Sequence, residues 1–254
     1  VQLRVEAQGL EAVEASTEIP QAIGISHLAT RMVRMKEDPS SSVKDFLQLQ
    51  ATFTDPAETH DYYAVCVRRK MLRNFHVACY RNTGREMEVA RVYYDYDEYL
   101  ETSKYQQWDS ISIEYQYDNF HVPITTASEP LLNPLSDIDH DFDFSSEFYQ
   151  NFYIFDDATI NGKIYTLHLN IEPFVRAANM SDKAAKELKR LYNIEEGVEV
   201  ELYHITPAYY RFLQALNDVS NNSLAQAGLS NIRTTHSNVR NGMGICAGFN
   251  VQKR

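Results

Sequence analysis

Residues 46–56 read Phe46-Leu47-Gln48-Leu49-Gln50-Ala51-Thr52-Phe53-Thr54-Asp55-Pro56. Phe46, Leu47, Leu49, Ala51 and Phe53 supply the apolar positions, and from Leu47 onward these alternate with polar residues. That period of two marks a strand with one buried face, and Asp55-Pro56 ends it because proline has no N–H to give to a ladder. The same alternation recurs on both sides. Arg73–Tyr80 sets Phe75, Val77 and Cys79 against Asn74, His76 and Ala78, and Ser110–Tyr117 sets Ile111, Ile113 and Tyr115 against Ser112 and Glu114. Val1–Ala7, Glu11–Thr17, Ile25–Met35, Tyr62–Arg69 and Glu88–Tyr94 are further strand candidates. Asp95–Trp108 reads as irregular or briefly helical.

Phe152–Phe155 and Lys163–Ile171 flank Asn161-Gly162, which predicts a hairpin with a type I′ turn. Val198–Ile205 is read as a strand with Val198, Val200 and Leu202 inward and Glu199 and Glu201 outward. Two helices are expected. One covers Asp182–Tyr192, with Ser181 at its cap. The other starts at Thr206-Pro207, a capping acceptor followed by proline in the first turn, and buries Tyr209, Phe212, Leu213 and Leu216. Many short strands with turn signals and only these two helices give a mainly β chain, an antiparallel β-sandwich with two short helices near the C-terminus.

The chain has 254 residues, 44% hydrophobic and 23% charged, which excludes wholesale disorder. Its 24 Lys and Arg stand against 35 Asp and Glu, a formal charge of -11. A duplex-binding surface must neutralise phosphates, so this balance argues against nucleic acid and against a polybasic membrane clamp. No apolar run reaches the roughly 20 residues of a membrane helix. Cys66, Cys79 and Cys246 are an odd set with no C-x-x-C pair. One bridge with a free thiol and three buried thiols are both open.

Asp137, Asp139, Asp141 and Asp143 alternate and would share one face of an extended segment, as an oxygen-rich Ca²⁺ site would. The EF-hand register fails at Phe142 and Phe148, so a solvated acidic loop within 123–145 is favoured and Ca²⁺ is the alternative. The eight histidines form no H-E-x-x-H motif, and the chain has no G-x-S-x-G elbow and no phosphate loop. His76, His168 and His204 fall in strands and read as structural. Tyr62, Tyr93, Tyr94 and Tyr117 are candidate contact residues, with core and rim packing the favoured alternative.

Several segments together carry a resemblance. They are Phe53-Thr54-Asp55-Pro56 with Asp61-Tyr62-Tyr63, Phe155-Asp156-Asp157 with Asn161-Gly162-Lys163, Leu202 to Leu213 (LYHITPAYYRFL), and Ser237-Asn238-Val239-Arg240-Asn241-Gly242-Met243-Gly244. In that order the chain resembles domain-of-unknown-function family 4249, surface lipoproteins of Bacteroidota. The resemblance implies a lipid-modified cysteine and an Ig-like domain ahead of the family domain. Residues 1–20 then resemble the last hairpin of that Ig-like domain, and 21–254 the β-rich family domain. It implies a cell-surface location at the outer membrane, a lipid anchor and an outer-membrane protein partner such as a TonB-dependent transporter. It carries over no enzymatic residue. Asp55, Pro56, Asn161, Gly162, Asn241, Gly242 and Gly244 read as turn and close-approach positions, so the expectation is a non-catalytic binding or accessory subunit. A secreted hydrolase with a scattered His/Asp/Ser site and a Ca²⁺-stabilised adhesion module are the alternatives.

Overall fold

The computed structural model describes residues 1–37, 40–132, 151–173, 181–183, 186–187, 190, 196–221 and 236–254. The strands are β1 (Gln2–Val5), β2 (Val13–Ser16), β3 (His27–Met35), β4 (Lys44–Thr54), β5 (Tyr62–Asn82), β6 (Met87–Tyr93), β7 (Ser110–Val122), β8 (Tyr153–Asp156), β9 (Ile164–Ile171), β10 (Gly197–Ile205), β11 (Val239–Arg240) and β12 (Phe249–Lys253). The helices are α1 (Tyr96–Ser103) and α2 (Pro207–Asn221), and the described residues between 182 and 190 are also helical. The chain is mainly β, in antiparallel sheets, as the alternation required.

Contacts divide the chain into two compact units. The first comprises 1–67, 121–173 and 200–254; the second comprises 68–120 and 174–199. In the first unit β4 is the central strand of the sheet β3–β4–β9, with Thr30 opposite Leu49 and Leu49 opposite Leu169. Leu49, Ala51 and Phe53 on one of its faces and Phe46 on the other are at most 1% exposed. Removing a side chain such as Phe53 from such a core costs about 3–5 kcal/mol. β5 pairs with β8, placing Tyr63 opposite Phe155, and β10 pairs with β12. The hairpin β1–β2 joins β11 in a third sheet.

The last family segment fastens that hairpin. The Asn238 amide bridges the Cys246 backbone in both directions, donating to its oxygen at 3.0 Å and accepting from its nitrogen at 2.8 Å. Asn241, at φ 56°, donates from its side chain to the Ala12 carbonyl. A Cβ on Gly242 would lie 3.1 Å from Val13, and one on Gly248 only 1.8 Å from the Glu18 carbonyl oxygen. Only glycine admits so close a backbone approach.

In the second unit β5 pairs with β6 around Leu72, Phe75, Val77, Cys79, Tyr93 and Tyr96. Asp95 caps α1 by accepting from the backbone N–H groups of Asp97 and Glu98.

Several sequence expectations are corrected. Tyr62–Arg69 and Arg73–Tyr80 form one continuous strand, because Lys70-Met71-Leu72 contains no turn-forming residue to break it. The predicted Asn161-Gly162 hairpin does not form: β8 pairs with β5 and β9 with β4. Gly162 has φ 70°, but Asn161 is not among the positive-φ residues, so the turn is not type I′. The chain winds instead through Asp157, Ile160 and Lys163, with Ile160 N–H donating to Asp157 O and Lys163 N–H to Ile160 O. Thr206 opens α2 through its carbonyl, which accepts from Tyr210, while its buried hydroxyl caps nothing. Glu201, expected outward, is fully buried.

Cys66, Cys79 and Cys246 are thiols outside any disulfide. Of the expected 123–145 surface loop, residues 123–132 are described, and they are tied down rather than loose. Glu129 is fully buried, accepting from Tyr165 Oη at 2.7 Å, His168 N–H at 2.7 Å and Leu131 N–H at 3.2 Å.

Candidate functional site

Five of the resemblance-bearing segments converge in the first unit, around the ends of β4, β5, β8 and β10. Pro56 ends β4, so the Asp55 side chain is free to turn away from the ladder. Its Oδ1 accepts from Tyr63 Oη at 2.5 Å and its Oδ2 from Gly162 N–H at 2.9 Å. Gly162 is required on two counts. Its φ is 70°, and a Cβ there would stand 2.8 Å from the Ala57 Cβ.

Asp61, just before β5, is tied to Asp157, just after β8, in both directions. Asp157 N–H donates to Asp61 O at 3.1 Å, and Asp61 N–H donates to Asp157 Oδ2 at 2.9 Å. Asn161 donates to the same Oδ2 at 3.0 Å and to Thr59 O at 2.8 Å. Asp61 Oδ2 accepts from the Thr59 hydroxyl, and its Oδ1 pairs with His204 Nε2 at 2.9 Å. His204 Nδ1 donates to the Gln21 carbonyl at 2.7 Å. The half-exposed His60 sets its Nδ1 against Asp157 Oδ1.

The result is three carboxylates, Asp55, Asp61 and Asp157, with oxygens within 4.8 Å of one another and exposures of 2%, 7% and 0%. Such a group has to be compensated, because uncompensated buried charge is costly. Backbone N–H groups, a tyrosine, a threonine, an asparagine and two imidazoles do so here. Burial pushes the Asp55 carboxyl above its ordinary value, the bonds from Tyr63 and Gly162 pull it back, and the neighbouring Asp157 and Asp61 charges push it up again. Burial, reinforced by the bond to Asp55, raises Tyr63 as well. The Tyr63 ring packs against Phe155 at 5.2 Å and against His204 at 5.3 Å, so the aromatic core and the polar cluster are continuous.

Both ring nitrogens of His204 are committed, one to a carbonyl and one to a carboxylate. The ring therefore spans two acceptors, as a tether between β10, the Gln21 segment and the entry to β5 would. Neither nitrogen is turned toward a hydroxyl or thiol.

A second polar group lies on β10 of the same unit. Glu201 Oε1 accepts from Lys253 Nζ at 2.5 Å, while Oε2 accepts from Tyr203 Oη at 2.8 Å and lies 3.2 Å from His121 Nε2. The fully buried Cys66 thiol completes a set with His121 and Glu201 whose donor atoms lie within 4.8 Å of one another.

The candidate tyrosines do not gather on one surface. Tyr62 lies in the first unit, half-buried, with its ring 4.7 Å from Tyr210 and 4.8 Å from His60. Tyr93, Tyr94 and Tyr117 lie in the second. Tyr93 is 1% exposed, with Arg91 over its ring, and Tyr117 is half-buried beneath Lys70. Tyr94 alone of the four is open, at 77% exposure. Asp137, Asp139, Asp141 and Asp143 lie outside the described residues.

Asp61, Asp157 and His204 stood in the quoted segments, but as residues without a chemical role. Asp61 and Asp157 border apolar strands where a solvated aspartate would be ordinary, so the available signal was their joint occurrence with Asp55-Pro56 and Asn161-Gly162. Glu201 and Lys253 carried no such signal, being a charge in a strand and a charge near the chain end.

These features define a class: an antiparallel β protein whose strand ends are joined by a buried carboxylate–imidazole cluster. The family model described as Domain of unknown function (DUF4249) matches residues 1–254, and the chain belongs to that family. No curated protein and no solved structure matches the chain.

Proposed function

We propose that this is a non-catalytic binding protein of the bacterial cell surface, lipid-anchored at the outer membrane. It acts as an accessory subunit of a TonB-dependent transporter or another outer-membrane assembly. The observation that carries the non-catalytic part is the engagement of both His204 ring nitrogens by fixed acceptors. A general base needs a nitrogen or oxygen within reach of the proton it removes. At His204 both nitrogens already face the Gln21 carbonyl and the Asp61 carboxylate. The signature residues thus fix strand ends and leave recognition to the surface. There Tyr94, Met87 and Val89 of the second unit expose 45–77% of their area. Exposed aromatic and aliphatic groups of this kind serve protein contact.

The test is affinity capture of the tagged full-length protein from native membranes in mild detergent, followed by mass spectrometry. Co-purification of an outer-membrane transporter or assembly subunit is expected, and recovery of none overturns the partner assignment.

A hydrolase is the second reading, favoured by the buried Asp61–His204 couple at 2.9 Å. Turnover of chromogenic esters or amides that disappears in a folded His204→Gln variant would replace the first reading with the second.

A further inference from the structure

The group on β10 is distinct in chemistry from the carboxylate cluster. Cys66 from β5, His121 from β7 and Glu201 from β10 are 55 or more positions apart in the chain, yet the fold brings one donor atom of each within 4.8 Å of the others. We propose that Cys66, His121 and Glu201 form a binding site for a divalent transition-metal ion, and that their donors fit Zn²⁺.

A thiolate, an imidazole nitrogen and a carboxylate oxygen are the three ligand types zinc takes, at about 2.0–2.3 Å each in a tetrahedral arrangement. Hard ions such as Ca²⁺ and Mg²⁺ prefer all-oxygen sets and would reject the sulfur. His121 Nε2 and Glu201 Oε2 are already 3.2 Å apart, close to the separation of two ligands on one tetrahedral ion. The ion enters where a proton now links these two atoms, and the Cys66 sulfur closes on it by a small shift.

Binding releases protons. The Cys66 thiol must ionise, and His121 must present Nε2 as a lone pair, its remaining proton residing on Nδ1. Thiolate and carboxylate together offset the ion's two positive charges, and Lys253 on Glu201 Oε1 leaves the group with one positive charge over; Lys253 and Tyr203, on Oε2, are its outer-shell partners. Cys66 and Glu201 are wholly buried, whereas the His121 and Lys253 side chains are 24% and 45% exposed, so the ion approaches along those two side chains. Three protein ligands leave the fourth position to water or to a group from outside.

Co²⁺ is the spectroscopic probe and Zn²⁺ the competitor. Titrating reduced protein with Co²⁺ is expected to give a thiolate-to-metal charge-transfer band with tetrahedral d–d bands, saturating at one ion per chain and erased by Zn²⁺. Cys66→Ser should abolish the charge-transfer band. His121→Asn, at a part-exposed position that keeps the core intact, should weaken Zn²⁺ at least by the roughly 10–100-fold that outer-shell losses cost. Cys79→Ser and Cys246→Ser should leave the spectrum unchanged. No charge-transfer band in the wild type overturns the proposal. So does a band that survives Cys66→Ser, or Zn²⁺ affinity indifferent to His121→Asn.

Discussion

His204 Nε2 lies 2.9 Å from Asp61 Oδ1 although 143 positions separate them in the chain. One contact therefore joins the inner face of β10 to the entry of β5, and His204 also holds the Gln21 segment through its other nitrogen. Replacing His204 by alanine takes a partner from the buried Asp61 carboxylate. Each buried polar group left without a partner costs about 1–3 kcal/mol. Urea denaturation of His204→Ala should show a loss of about 1–3 kcal/mol, and a double-mutant cycle with Asp61→Ala should return a coupling of about 0.5–3 kcal/mol. Additive effects would mean that the two groups do not act on each other.

Asp55 gives a pH signature. Its folded pKa is raised from about 3.8 by burial, so between that value and the raised one the folded state holds a proton that the unfolded chain has released. Stability from this group is then fully present below about 3.8 and is lost as the pH climbs through the folded value. Asp55→Asn removes the titration. The variant starts lower, since an amide cannot accept from both Tyr63 and Gly162. Its melting temperature relative to wild type should nevertheless improve as pH rises through that window. A difference that is flat or falls with pH contradicts this account.

Gly248 is the position where a single methyl group should do the most damage. A Cβ placed 1.8 Å from the Glu18 carbonyl oxygen cannot be accommodated by a side-chain rotation, because the obstacle is backbone. Gly248→Ala should cost more than about 3 kcal/mol, beyond the usual range for point changes. Asn238→Ala, which removes the two amide bonds to Cys246 and the longer one to the Ser16 carbonyl, should cost about 1–3 kcal/mol by leaving that backbone unpaired. Hydrogen exchange in Asn238→Ala should speed up first in β1, β2 and β11.

The thiols should differ in reactivity. Cys66 and Cys79 are buried and Cys246 is half-buried. Burial also pushes the Cys79 thiol up, so less thiolate is present at neutral pH. Alkylation of the native protein followed by mass spectrometry should mark Cys246 first, and the other two only after denaturant is added. Early labelling of Cys79 would mean that the core around Phe75 and Tyr93 opens locally.

What could be read in advance divides along physical lines. β4 was legible because burial of one sheet face imposes a period of two, and Asp55-Pro56 was legible because proline cannot donate. α2 was legible from Pro207 and the spacing of Phe212, Leu213 and Leu216. The β8–β9 hairpin was misread because Asn161-Gly162 favours a tight turn locally. The Asn161 side chain instead bonds Thr59 and Asp157, and those tertiary bonds outweigh the turn preference. Glu201 was assigned outward because alternation treats every charge as solvated, and its partners Lys253, Tyr203 and His121 lie on other strands or further along its own.

The order of residues alone determined that this chain forms antiparallel sheets, where most of its strands begin and end, and that its net charge is strongly negative. Strand period, breaker residues and net charge are properties of a segment or a sum, so no neighbour in space is needed to know them. Only the folded chain decided which strands pair, that three aspartates and His204 share one buried place, and that Cys66, His121 and Glu201 meet. Whether a charged side chain is paired or solvated depends on groups up to 143 positions away, and local sequence holds no record of that distance.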